Sequence, residues 1–545
     1  MPKIVIISVL FATFIYAEIV EFSGSTSLYA EYNPINGNAP QTSTSTLRFD
    51  LNPELKIAGM PLTLNLNFST EESNLRQAVN KFLIFLAPAN LVREIVHLPN
   101  FVFSISSIEI GACHPNYSPF TLTGVPVLGG ATEINPWGVI YLAGAIGKMQ
   151  RGVEGSDSTD AAYSRNLLGG RFGIGSKSGS HLYFTFLHID DDTGSIPTYT
   201  LPVAGDSDTV DVITPQENYL VGAEFNLSLF QDHFVLKSEL VGSEFTRDKR
   251  MPALEMPEYA SWFGNVFNPR MSSVFDYAYS IKPTFDILHT KIWGVYKMVG
   301  PGFSSLGAPY LRNDVSSLEI GIDKGFFNKC VSLSVSHTRE KDNLIGNKAT
   351  TTSFQSYSYY LGLIFTGIPY LSVGYVPYDQ QNDSLETHTD VLTMNTGYTF
   401  DLFKLNHSPS VSFSHQKYDE STEVNNFTSN SYYINYAIGF GFPLNITVGF
   451  GKTNTDYTTT KTRTTAFDIS TAYTFFQVWT NTIGYNLSSE KHEGSRHGIT
   501  FASSLPIWEI CDMNLGVERN IYRERTQTTS DYDEWRFMAS LSKSW

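Results

Sequence analysis

The sequence predicts an all-β chain closed into a transmembrane, antiparallel, up-and-down β-barrel of about 24 strands (22–26), since single-chain bacterial barrels have even strand numbers. Three observations carry that reading. Apolar and polar residues alternate with period two through most of the chain. Short and long connections alternate between these segments. The chain closes on "DEWRFMASLSKSW" (533–545), a strand pattern at a place where most chains finish in poorly ordered polar residues.

At the N-terminus, "MPKIVIISVLFATFIYA" places Lys3 before an apolar core from Ile4 to Ile15 and ends on the small Ala17, ahead of Glu18. This is the layout of a secretory signal peptide cleaved after Ala17, leaving 18–545 as one barrel domain. The apolar run is shorter than the roughly 17 to 25 residues a spanning helix needs. No Cys follows the cleavage site, so no lipid-attachment position is expected.

Strands are expected near 22–32, 44–57, 61–69 and 100–110. Between the last two, "EESNLRQAVNKFLIFLAPANLVREIVHLP" (71–99) reads as helical, with Ser73 as N-cap and Pro88 and Pro99 as breaks. It would form a lumenal or periplasmic insert, the competing reading being a pair of strands. From residue 135 onward about 20 alternating segments follow, rich in the aromatic and β-branched residues that suit strands. Examples are "VSLSVSH" (331–337), "VSFSH" (411–415), "YYINYAIGFGF" (432–442), "LNITVGFG" (444–451) and "MNLGVERNIY" (513–522). Short turns fall near 176–180, 231–233, 286–288, 326–328, 367–369, 404–407, 441–443, 476–477 and 507–509. Longer polar stretches lie between them.

A soluble sandwich would bury the apolar parity against a second sheet and would not gather its long loops at one end. In a bilayer every backbone polar group must be satisfied within the protein, so only helices and closed barrels span it. Ordinary mean hydropathy, −0.13, fits such a barrel because only alternate residues meet lipid. Charged residues make up 17% of the chain, aromatic residues 14%, and the net charge is −16. That balance argues against a nucleic-acid binder, whose footprint is a basic patch. The three cysteines are an odd number and suggest neither a disulfide framework nor a zinc site.

The last strand resembles the C-terminal strand of bacterial outer-membrane β-barrel proteins. In that family alternating apolar residues and a terminal aromatic form a signal read by the barrel-assembly machinery. Trp535, Phe537, Leu541 and Trp545 match it, with Trp in place of the usual Phe. "GACHPNYSPFTLTGVPVLGG" (111–130), "YLAGAIGKMQRGV" (141–153), "DDDTGSIP" (190–197) and "SELVGSEFTRD" (238–248) resemble a porin-like group of large exported barrels from Gram-negative bacteria. The resemblance implies an outer-membrane location and contact with outer-membrane lipid and lipopolysaccharide. It assigns no catalytic or ligand-binding residue.

Parity sets Glu224, Glu239, Glu319, Asp323, Asp512 and Glu518 opposite apolar neighbours, so these carboxylates are expected to line the lumen, with Lys237 among the counter-charges. Rings of charge set ion preference. A barrel this wide calls for a plug or an inward loop, and two segments qualify: 71–99 and the loop 247–271, which carries Arg247, Lys249, Arg250, Glu255, Glu258, Trp262 and Phe263. Asp190, Asp191 and Asp192, with Asp206, Asp208 and Asp211, form acidic loop clusters. The first three are weak metal candidates, since hard cations prefer oxygen ligands, but their spacing matches no calcium loop, and solvated charge is the simpler account.

"GFGKT" (449–453) lacks the glycine a phosphate loop needs, Ile446 standing in its place. "GGRFGIGSKSGS" (169–180) runs from strand into turn, where glycine serves backbone geometry, and no G-x-S-x-G elbow is present. No cofactor and no enzymatic activity are expected. The sequence thus points to a porin-like channel for passive diffusion of small polar solutes through a mildly acidic lumen. The alternative is a non-conducting barrel acting through its long loops as an adhesin or an assembly scaffold.

Overall fold

The computed structural model describes residues 20–37, 44–70, 80–93, 95–96, 98–154, 161–196, 200–202, 209–211, 213–255, 267–491, 493–507, 510–525 and 531–545. The expected signal segment, 1–17, lies outside them. One antiparallel sheet of 28 hydrogen-bonded segments dominates. Two of these, Ile35–Gly37 and Phe400–Leu402, continue the strands before them, so the wall has 26 strands. The first strand, Val20–Asn33, pairs with the last, Tyr532–Ser544, from Ser25↔Ser544 to Tyr32↔Phe537. The sheet is therefore closed and has no free edge, the arrangement a bilayer demands of β structure. With strands about 4.8 Å apart and tilted by 35–45°, a circular barrel of this size is about 50 Å across at the backbone.

The alternation works as follows. On the outward face a single register row runs Phe285, Ile292, Ile322, Val335, Tyr359, Tyr375 across six strands. The inward parity of the strands beyond Val331 carries Ser334 and Ser336, Ser412 and Ser414, Ser429 and Ser431, Asn514 and Ser540. Apolar side chains thus face lipid and polar ones face the lumen. Among the described residues no helix is long and apolar enough to cross a membrane.

Twenty wall strands lie between Ile140 and the C-terminus, as expected, but six precede them rather than four. The two additions are Lys81–Leu86 and Val127–Ile134. The helical reading of 71–99 is thereby corrected. "KFLIFL" pairs with strands on both sides, and it imitates a helix because Leu83 and Phe85, on its inward parity, are as apolar as Phe82, Ile84 and Leu86. "VLGGATEI" hides its period behind Gly129, Gly130 and Ala131. The described residues of 87–104 are irregular, with single 3-10 turns at Pro88–Asn90 and Val102–Ser104, and they lie at the end where the other connections are short. There the Val92 amide donates to the Ala58 carbonyl at 2.8 Å. Residues 71–79 lie outside the described residues.

Several short turns break a local rule. Leu288–His289, Phe403–Lys404 and Phe476–Gln477 have positive φ at both residues, the two-residue geometry that matches strand twist and usually selects Asn-Gly. A side chain in that region costs about 1–2 kcal/mol per residue.

The seam is tight at its base. Gly24 and Trp545 exchange both backbone hydrogen bonds at 3.0 Å, and the Trp545 ring stacks on Phe22 at 6.2 Å. On the inward side Arg536 lies 3.4 Å from Glu31 and 3.8 Å from Glu518, joining three strands across the closure. A Cβ on Gly24 would meet the Asn52 carbonyl oxygen at 2.8 Å and the Trp545 ring at 2.9 Å. Gly24→Val is therefore expected to lower barrel stability by about 1–3 kcal/mol, the usual cost of overpacking, read as a lower urea midpoint of the refolded barrel in micelles; an unchanged midpoint would show that the seam tolerates a side chain there.

Candidate functional site: the barrel lumen

Two long-loop connections, 114–126 and 300–314, enter the barrel and pack on each other and on the wall. The Thr123 amide donates to the Gly307 carbonyl at 2.9 Å, Ser305 Oγ donates to the Thr121 carbonyl at 2.8 Å, and Phe120 meets Phe303 edge to face at 6.4 Å. Gly307 is required by this approach, since a Cβ there would lie 2.3 Å from the Thr121 oxygen. Around this pair the wall turns apolar on its inward face as well. Leu167, Leu187, Ile189, Leu220, Val241, Ala278, Val299 and Val315 form one buried cluster with Tyr117, Phe120, Leu122 and Phe303. One sector of the lumen is thus filled by a dry core, whose burial drives the loops inward.

Polar anchors hold the core to the wall. Arg171 Nη1 donates to the Tyr117 carbonyl at 2.7 Å, its other branch pairs with Glu224, and its guanidinium lies 4.8 Å from the Tyr183 ring centroid. His181 Nε2 sits 3.0 Å from the second Glu224 oxygen, stacked on Tyr183. Asn218, fully buried, accepts from the Leu306 amide at 3.0 Å and donates to Ser243 Oγ and to the Glu244 carbonyl. Ser243 Oγ in turn donates to the Ser304 carbonyl at 2.6 Å. A third tie joins Asp314 to Lys348 at 2.8 Å and to the Leu344 amide. Burial by itself would raise the Asp314 carboxyl, but Lys348 and the surrounding amides outweigh it and hold it below its ordinary value.

The six parity-derived carboxylates occupy different settings. Glu224 is engaged by Arg171 and His181 in the filled sector. Glu239, opposite Glu224 in register, is buried beside Ser118 rather than facing open water. Glu319 and Asp323 alternate with Ile320 and Ile322, which are 49% and 40% exposed on the outward face. Asp323 lies opposite Lys291 and accepts from Ser334 Oγ at 2.6 Å. It lines a recess of about 400 Å³ with Asp286, Lys291 and Tyr360. Asp512 faces Ser542 in register, and Glu518 faces Arg536. Lys237 is opposite Lys282.

Among the described residues, neither segment expected to narrow the lumen joins its core. Lys81–Leu86 belongs to the wall. In the loop 247–271, Phe267 packs edge to face on Tyr219, whose parity is outward, Lys249 reaches Asp190 at 2.9 Å, and Arg250 pairs with Asp248, which places these residues at the rim. Glu258, Trp262 and Phe263 lie outside the described residues. Asp190, Asp191 and Asp192 diverge: Asp190 takes Lys249, Asp191 takes Arg165 in a bidentate pair at 2.7 and 3.0 Å, and Asp192 accepts from the Gly194 amide. Among the described residues no group of three His, Cys, Asp or Glu side chains is placed to hold a metal ion. Asp206, Asp208 and the Asp211 side chain lie outside them. Cys113, Cys330 and Cys511 are all free.

The inserted segments had a sequence signal. In "HLYFTFLHI" (181–189) both parities are apolar or aromatic, which a wall facing water on its inside does not require. Inward Tyr183, Leu187 and Ile189 need a cover.

This closed barrel, with its apolar outer face and its short and long ends, has the architecture of an outer-membrane β-barrel. No protein-family model and no curated protein matches the sequence. Among solved structures the chain is similar to a chain of the E. coli P pilus tip assembly intermediate PapC-PapD-PapK-PapG, at 10% identity and a TM-score of 0.46, covering 95% of this chain and 60% of that one. It is also similar to the P pilus usher (PapC) translocation pore, at 10% identity and 0.40 over 96% and 99% of the two chains. A BenF-like porin from Pseudomonas fluorescens Pf-5 is similar at 9% identity and 0.30, again over 96% and 99%. The chain thus spans 60% of the length of the first. At these identities and TM-scores no residue role and no cargo carries across.

Two outcomes follow from the anchors. Arg171→Met leaves Glu224 with His181 alone and the Tyr117 carbonyl without its donor, and it should cost about 3–5 kcal/mol, as breaking a buried pair does, measured by urea unfolding. The Asp314 tie contributes stability above the ordinary carboxylate pKa of about 3.9 and loses it as pH falls through the lower folded value. The Leu344 amide resonance should therefore titrate below that ordinary value, and Lys348→Met should move its midpoint upward; an unmoved midpoint would remove Lys348 as the cause.

Proposed function

We propose that this protein is an outer-membrane channel for passive diffusion of small polar solutes, narrowed from one side by the inserted segments 114–126 and 300–314. One observation carries the reading: the inward face divides into an apolar sector roofed by those segments and a polar sector, rich in Ser, Thr and Asn, from Val331 through the seam to Ser69. A wall built only to be filled would keep the apolar inner face all the way round. Ser-, Thr- and Asn-lined surface is suited to water and to solutes that exchange hydrogen bonds with it.

Selectivity in this reading rests on carboxylates without a cation across from them. Glu319 stands opposite Val295 and Thr338, and Asp512 opposite Pro506 and Ser542, whereas Asp323 and Glu518 have Lys291 and Arg536. These two carboxylates favour cations, against the lysine pair Lys237 and Lys282, and the net preference in this reading is weak. The terminal strand, with Trp535, Phe537, Leu541 and Trp545 on its outward parity, serves as the signal to the assembly machinery, and the long-loop rim meets lipopolysaccharide.

Single-channel recording in a planar bilayer tests the proposal. The native barrel should give stable conductance steps. Replacing 116–123 by a short Gly-Ser turn should raise the step size severalfold, and Glu319→Gln with Asp512→Asn should shift the reversal potential toward zero. A folded barrel that never conducts would overturn the channel reading and leave a scaffold acting through its long loops.

A further inference from the structure

The short-turn end is ringed by large apolar side chains in fully exposed positions. In five turns the first residue with positive φ is Phe230, Leu288, Phe327, Phe403 or Phe476, each followed by a polar residue in the same backbone region. All five are at least 75% exposed, and Phe403 and Phe476 reach 86% and 87%. Each follows an exposed apolar residue on the outward parity of its strand, giving the pairs Leu229-Phe230, Ile287-Leu288, Phe326-Phe327, Leu402-Phe403 and Phe475-Phe476. The remaining turns of this arc expose Ile364, Phe442 and Ile510. Eight successive hairpins are involved, built from sixteen of the 26 strands.

Around the rest of the rim the pattern is kept by other means, except at 176–180, "SKSGS", which has no apolar tip. The turn at 135–139 exposes Trp137, itself at positive φ. The turn Ala58–Gly59 has no apolar tip, but 87–104 lies against it and exposes Ile95, Leu98 and Phe101. At the opposite end the short connections at 382–385 and 458–460 have polar tips, "NDS" and "TTT". Val424 and Ile345 are exposed in longer connections of that end, but its left-handed positions carry Asn268, Asp314, Asn343 and Glu423; large apolar residues at left-handed positions are thus a property of one end.

Glycine or asparagine would relax each of the five left-handed positions. A rule broken five times in the same way indicates a compensating contact outside the chain. From the annular spread and from the continuity with the outward wall, we infer that the turn tips of this barrel are sunk in the phospholipid interface of the inner leaflet, which sets the depth at which the barrel sits. A flat lipid surface meets tips spread over sixteen strands equally, whereas a globular partner would meet a smaller patch, and the arc borders the mouth of the lumen. Aromatic rings suit the headgroup boundary, and Lys329 and Lys404, next to the tips, suit its phosphates.

Site-specific photo-crosslinking tests this on the full-length barrel. The probe is p-benzoyl-phenylalanine, which preserves the aromatic character, placed at Phe403 or Phe476, with Asn347 in a long loop as control. Variants that retain the heat-modifiable folded form are irradiated in phosphatidylethanolamine–phosphatidylglycerol vesicles and in whole cells. Phospholipid adducts at 403 and 476, at least tenfold above those at 347, are expected. Adducts to a second copy of the chain or to another protein in cells, or tips that form no lipid adduct in vesicles, would overturn the inference. Neither result depends on whether the barrel conducts.

Discussion

Closure is the constraint on which the rest of this structure depends. A strand in hydrocarbon cannot leave an amide or a carbonyl unpaired, so the first strand must find the last across more than five hundred residues. The pairing of Ser25 through Tyr32 with Phe537 through Ser544 satisfies that requirement. It also explains why the C-terminal residue is ordered: Trp545 is bonded in both directions to Gly24 and stacked on Phe22. The charges inside the seam, with Arg536 between Glu31 and Glu518, add register, because a slip of one residue would send the arginine to the lipid side.

Closure with 26 strands creates a second problem, which is width. Diameter grows with strand number, and a wall of this circumference cannot fill its interior with its own side chains. The chain answers locally, filling one sector with two loops that share a small hydrophobic core inside the barrel. That core obeys the packing logic of a soluble domain: buried aliphatic residues, an edge-to-face aromatic pair, and polar groups such as Asn218 satisfied by backbone partners. Burial stabilises the insertion, while hydrogen bonds from Arg171 and Ser243, and one from the Leu306 amide to Asn218, fix its position.

Most of the wall was legible in the sequence because one parity was apolar and the other polar. The failures occur where that contrast vanishes. Lys81–Leu86 is apolar on both parities and imitates a helix, and Val127–Ile134 carries glycines where side chains would show the period. The same loss of contrast marks the filled sector in "HLYFTFLHI", so the site was partly written in the sequence as an excess of apolar residues on the inward parity. Which loops would cover that excess was not legible. Residues 114–126 and 300–314 are rich in Pro and Gly and modest in hydrophobicity, whereas 247–271 has the charges and aromatics of a constriction, and its described Lys249 and Phe267 tie to the rim. Loop destination depends on the surface the loop meets, and register places that surface many strands away in sequence.

The two departures from simple patterning have one physical meaning. Apolar residues on the inward parity mark where the wall meets protein and not water. Apolar residues at left-handed turn positions mark where the end of the barrel meets something other than water as well. In each case a local cost, exposed hydrocarbon in the first and backbone strain in the second, persists only if a contact elsewhere offsets it. Viewed this way the barrel has three kinds of boundary: an outward band and a lower rim in contact with an apolar phase, an inner sector in contact with its own loops, and an inner sector of Ser, Thr and Asn in contact with water. In the proposed channel a solute would meet only the third.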